Sequence, residues 1–309
     1  MAKEDHDVAQ TYLRSFANDT DKLWVYRKDR PSIKELSTKS ICWEHAGSDN
    51  PYFEKNRIIE DYLKIFENGW PKALRVFASN PTLEEYLNAK FIMSGFIAYL
   101  RFFPPGPAKA GQQFLEEVVK SEMRQLKKQG LLPAPPKGYE YLLENIESSL
   151  RVDVDKTFAQ AQGIRAMIKT CEVFFHSPWM RVTNSEGIPF VSSDNPACMW
   201  YPNPSSRGVV YFPTSPTTAV LINPSTEWPE GYDQTMDAEG PSKPGAATIF
   251  NSLIVKSAEK YVVANTNSKT ILEMVTEFKN WRYRCTTSVI KINTGELLIP
   301  KLQPLPDQS

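Results

Sequence analysis

Between Tyr52 and Phe175 apolar residues recur every three or four positions, and after His176 they gather into short β-branched runs divided by Pro, Gly and Asn. That change of period, from helical to strand-like, is the strongest constraint on the fold, because a pattern that buries one face of a helix cannot bury one face of a strand. It predicts helices segregated from a sheet. The expected class is α+β, a helical subdomain packed against an antiparallel or mixed β-sheet.

The helical part reads in four stretches. "YFEKNRIIEDYLKIFENGWPKALRVF" places Ile58, Tyr62, Ile65 and Phe66 on one face, and Gly69 with Pro71 is expected to bend or restart it. "NPTLEEYLNAKFIMSGFIAYLRFF" begins with Thr82 and Glu85 at capping-box spacing and is apolar on nearly all sides from Phe91 to Leu100. "PPGP" ends it, and a third helix is expected from about Lys109 to Gln129, with Phe114, Leu115, Val118, Met123 and Leu126 inward. A proline-rich connection leads to a fourth from Thr157 to Phe175. Beyond His176, "WMRVTN", "IPFVSSD", "GVVYFPTS" and "TAVLIN" suit an antiparallel meander. A turn-rich excursion at 224–245 containing Trp228 reads as a lid, an interface or a loop. Helix and strand follow in "AATIFNSLIVKSAEKYVVANT", then a helix in "TILEMVTEFKNW" and a last strand in "SVIKINTGELLIP".

The chain is thus expected to fold as one compact unit over 1–309: an N-terminal helix and strands in 1–50 that join the sheet, the helical subdomain in 51–176, and the sheet-rich subdomain in 177–309. A chain of this length buries about 75% of its unfolded surface. Lys and Arg together number 36 and so do Asp and Glu, which disfavours an extended nucleic-acid surface. No apolar run approaches bilayer length, and the polar "MAKEDHDVAQ" has no signal core, so no membrane contact and a cytoplasmic location are expected. Cys42, Cys171, Cys198 and Cys285 are too far apart for metal-ligand spacing and read as free thiols.

Phosphate-loop, dinucleotide, zinc-helix and nucleophile-elbow patterns are all missing. Any nucleophile–His–acid arrangement must draw on His6, His45 or His176. No metal motif is recognisable; a divalent cation, if one takes part, would need a carboxylate such as Asp194 at a strand end.

"HDVAQTYLRSF" with the later "VSSDNP" resembles a widespread bacterial and fungal family of domains of unknown function. The matching positions are His6, Gln10, Tyr12, Leu13 and Phe16; Trp24 to Tyr26; Ser193 to Pro196; Phe212 to Pro216; and Asn251. Ala9 stands where that family more often has Pro, and no aromatic follows His6. The family brings no established reaction, so the resemblance implies a fold and a site without a chemistry.

Asp194 and Asn195 fit an Asx turn closed by Pro196, and equally a rigid carboxylate and amide at the mouth of a sheet. On an N-terminal helix His6, Gln10 and Arg14 would form one wall of a cleft, with Ser193, Asp194 and Asn195 the other. His6 is then either a surface histidine or an acid–base group oriented by Asp194, and Arg14 an anion-binding group. Asn251 is read as opening the "NSLIVKSAEK" helix, as a cap or as a lesser member of the site. The expected function is an enzyme with a His6/Asp194 polar cleft, hydrolysing a small polar or anionic substrate such as a nucleotide or another phosphate-bearing molecule. The alternatives are non-catalytic binding of a small ligand and a protein-interaction module that engages a protein partner.

Overall fold

The computed structural model describes residues 4–30, 32–45, 49–79, 81–141, 152–201, 208–222, 238–292 and 295–307. Most of the 224–245 excursion, with Trp228, lies outside them. The fold is α+β. Seven α-helices are described: α1 Gln10–Leu13, α2 Ile58–Phe77, α3 Leu83–Leu100, α4 Pro105–Lys128, α5 Lys156–His176, α6 Ala246–Ser257 and α7 Lys269–Glu277. The strands are β1 Glu4–His6, β2 Lys22–Arg27, β3 Ser32–Ser37, β4 Trp43–His45, β5 Trp179–Thr183, β6 Ser192–Ser193, β7 Cys198–Trp200, β8 Val209–Pro213, β9 Thr218–Ile222, β10 Ala238–Pro241, β11 Tyr261–Ala264, β12 Trp281–Ile292 and β13 Gly295–Pro306.

Where one sheet was expected, two main sheets form. One has the order β10-β5-β9-β8-β7 and the other β3-β2-β11-β6. In the first, β7, β8 and β9 form an antiparallel meander, β5 adds antiparallel to β9 and β10 adds parallel to β5. Strand β6, expected within the meander, instead pairs with β11 in the other sheet. In the second, antiparallel pairing of β2 with β11 ties residues 22–27 to residues 261–264. The helices α2 to α5 are therefore inserted between the two halves of one sheet.

Strand alternation explains why these runs are apolar throughout. On β8, Val210 and Phe212 pack with α1, α2 and α3, while Val209 and Tyr211 pack with α6. On β9, Val220 and Ile222 face the first cluster, and Ala219 and Leu221 the second. Successive side chains point to opposite faces, so a sheet covered on both sides needs apolar residues at every position. Leu23 and Val25 against Tyr26 divide β2 in the same way.

Helix α3 carries the expected capping box at Thr82 and Glu85 and is buried from Met93 to Leu100. Gly95 has a packing reason: a Cβ there would overlap the Phe66 ring of α2. Helix α2 differs from expectation. It runs through Pro71 unbroken, and its buried stripe is Ile59, Leu63, Phe66, Trp70, Ala73 and Phe77, which leaves Ile65 exposed. Tertiary packing of that stripe outweighs the amide hydrogen bond lost at proline. Helix α4 starts earlier than expected, with Pro105 in its first turn, and packs on α5, β12 and β13. Its buried residues are Gly106, Pro107, Ala108, Ala110 and Ser121, while Phe114, Leu115, Met123 and Leu126 are half-buried and Val118 is exposed. The C-terminal strand is half of a long antiparallel hairpin, β12 with β13. Among the described residues no helix is long and apolar enough to cross a membrane.

Candidate functional site

The Ser-Asp-Asn-Pro turn meets the end of α6, where a helix leaves its last carbonyls without partners. Those of Val255 and Ala258 accept bonds from Lys28 Nζ at 2.6 and 2.8 Å, and Lys256 is reached at 3.4 Å. The same ammonium bonds Trp281 O at 2.6 Å. Asn195 Nδ2 donates to Ser257 O at 3.2 Å. One buried cation and one amide thus close the helix end.

The three following backbone N–H groups are taken by Asp194. Its Oδ1 accepts from Glu259 N at 2.9 Å, and its Oδ2 accepts from Lys260 N at 2.7 Å and Tyr261 N at 3.0 Å. Burial pushes the Asp194 carboxyl up to about 6, against the pull of those three donors. Burial likewise pushes Lys28 down to about 7, with the Arg282 charge adding to it. Ser193 pairs with Val262, and its Oγ accepts from Asn195 N at 3.0 Å.

Asn251 does not open a helix. Helix α6 begins at Ala246, after Gly245 at φ 83°, and Asn251 sits in its middle, fully buried. Its side chain accepts from Val191 N at 3.0 Å and donates to Pro189 O at 2.8 Å, so it clamps the strand leading into the Ser-Asp-Asn-Pro turn.

The N-terminal segment is placed differently from the single helix expected. His6 ends β1, which pairs with β4, and α1 is only one turn long before a 3-10 turn at Arg14–Phe16. Gln10 Nε2 lies 3.0 Å from His6 Nε2; with the amide as donor, the ring carries its proton on Nδ1. Arg14 is exposed. Asp5 is buried against Arg57, at 2.5 and 3.2 Å, and this pair holds β1 to the start of α2. The segment does touch the strand that carries the acidic turn, through Tyr12. Its hydroxyl lies 2.7 Å from Ser192 Oγ and donates to Pro213 O at 2.8 Å. His6 and Gln10 are therefore brought together, and so are Ser193, Asp194 and Asn195. Tyr12 links the N-terminal segment to the strand before the turn through Ser192.

Clefts open elsewhere. An apolar groove of about 350 Å³ lies among α2, α3 and α5. A smaller one, about 160 Å³, is lined by Arg101, Phe102, Thr170, Val173, Phe174, Ser177, Met199, Gly208, Val210 and Ile222. Arg101 ends α3 and is only 8% exposed. Its Nη1 donates to Ala197 O at 3.2 Å and to the Tyr283 hydroxyl. The Nε–Nη2 edge bonds nothing among the described residues, and no carboxylate there pairs with it. Burial pushes the Cys198 thiol and the Tyr283 phenol up to about 12, and the Arg101 charge opposes that rise.

Taking a guanidinium out of water without a counter-ion is costly, and Arg101 meets that cost in part through Ala197 O and the Tyr283 hydroxyl. Sequence reasoning missed it. The signal was there: one Arg closing a run that is apolar from Phe96 to Leu100, before "FFPP". Among the described residues no group of three His, Cys, Asp or Glu could hold a metal ion.

A family model described as a protein of unknown function (DUF4238) matches residues 4–268. No curated protein and no solved structure matches the chain.

Proposed function

The chain belongs to the DUF4238 family of proteins of unknown function, and we propose that it is a small-ligand-binding protein whose ligand is an anion seated on Arg101. The observation that carries this reading is that Arg101, only 8% exposed, lines a cleft while its Nε–Nη2 edge bonds nothing and pairs with no carboxylate among the described residues. The His6–Gln10 pair and the Ser-Asp-Asn-Pro turn then act as framework. The pair joins the end of β1 to α1, and the turn holds the α6–β11 connection to the second sheet.

Hydrolysis by His6 and Asp194 is the second reading, and the raised Asp194 carboxyl is the observation in its favour, since a group near 6 suits proton transfer at neutral pH. It has less support, because that carboxylate already accepts three backbone N–H bonds and is only 4% exposed. A cytoplasmic setting is proposed with either reading and rests on four unpaired cysteines.

A thermal-shift panel of nucleotides, sugars, carboxylates and inorganic anions tests the proposal. At a hundredfold excess over Kd, a ligand that binds only the folded chain adds about 2.7 kcal/mol of stability. At least one organic anion is expected to raise the melting temperature of the wild type and to leave that of Arg101→Met unchanged. Stabilisation by neutral sugars alone, or equal stabilisation of both proteins by every anion, would refute it.

A further inference from the structure

Resting on the assignment of the Arg101 cleft as a binding site, we infer that its ligand is an apolar monocarboxylate, with the carboxylate on the Nε–Nη2 edge of Arg101 and the hydrocarbon part among Phe102, Phe174, Met199, Val210 and Ile222. Charge sets the first limit. Among the described residues that line the cleft Arg101 is the one cationic side chain, and its Nη1 is already engaged by Ala197 O and Tyr283. A single free edge of a planar guanidinium matches the two oxygens of one carboxylate. A phosphate monoester, with a charge near −2, would bring a second negative charge that no cation among the described lining residues meets.

The walls set the second limit. Six of the ten lining residues are Phe, Val, Met or Ile, and Ser177 already donates its hydroxyl proton to Val173 O at 2.7 Å. A sugar or nucleotide would lose hydrogen bonds to water here that such walls do not replace. Volume sets the third. The cleft offers about 160 Å³ and opens to solvent, room enough for a single ring or a short branched chain against its apolar wall. Gly208 helps to shape the mouth, because a Cβ there would overlap the Met199 methyl group.

Benzoate is the probe, titrated calorimetrically beside benzamide, benzyl alcohol, phenyl phosphate and inorganic phosphate. The wild type is expected to bind benzoate at least tenfold more tightly than benzamide or benzyl alcohol, and Arg101→Met to lose at least tenfold in benzoate affinity. Val173→Trp, at an exposed wall residue that does not support the core, is expected to lower benzoate affinity by obstruction and serves if Arg101→Met does not fold. Tighter, Arg101-dependent binding of phenyl phosphate or inorganic phosphate would overturn the ligand class while keeping the site. Benzoate binding untouched by both substitutions, or no anion binding at all, would overturn the class and the site together.

Discussion

Asp194→Ala is expected to destabilise the protein by about 3 kcal/mol or more, because three backbone N–H groups of the α6–β11 connection would lose their only acceptor inside the fold. For a chain of this size that corresponds to a fall in melting temperature of roughly 6–10 °C. Asp194→Asn separates acceptor chemistry from volume. An amide keeps one oxygen, so whichever way it is turned at least one backbone N–H faces an NH2 group. The asparagine variant should therefore lose most of what the alanine variant loses. Thermal or urea unfolding reads both. An asparagine variant that melts with the wild type would show that those donors do not depend on the carboxylate.

Lys28→Met is expected to cost about 2–4 kcal/mol at neutral pH, since the carbonyls of Val255, Ala258 and Trp281 lose a common donor at a site only 2% exposed. The pH dependence carries the sharper prediction. Burial and the Arg282 charge lower this ammonium from its usual 10.5 to about 7. Between those values the unfolded chain holds a proton at Lys28 that the folded chain has released. Stability then rises with pH in that window, by at most about 1.4 kcal/mol per unit. The methionine variant lacks this contribution, so its deficit relative to the wild type should widen from pH 7 to pH 9. A deficit that stays constant over that range would mean that the buried amine titrates as it does in water.

Much of the layer order was legible. The capping box at Thr82 and Glu85 and the β8–β9 pairing follow from local pattern, because each rests on neighbours close in sequence, whereas β5 reaches β9 from some forty residues away and β6 pairs with β11. What escaped depends on distant partners. His6 is strand because β4 pairs with it from some forty residues away, and three residues carry no period of their own. Asn251 looked like a helix opening because asparagine is a preferred cap, whereas Gly245 starts α6 with no side-chain cap bond. "SSDNP" announced a turn, but nothing within it shows that the donors to Asp194 come from residues 259–261. Arg101 was visible as a lone charge at the end of an apolar run. Whether a carboxylate met it there was a question only the tertiary structure answers.

The two accounts of the site part most cleanly in a calorimetric titration of benzoate into His6→Ala and Arg101→Met side by side. If Arg101 holds the ligand, the histidine variant keeps wild-type affinity within about twofold, and the arginine variant falls by tenfold or more, one decade being about 1.4 kcal/mol. The reverse pattern, affinity lost at His6 and retained at Arg101, would contradict the account and return the site to the N-terminal segment and the Ser-Asp-Asn-Pro turn.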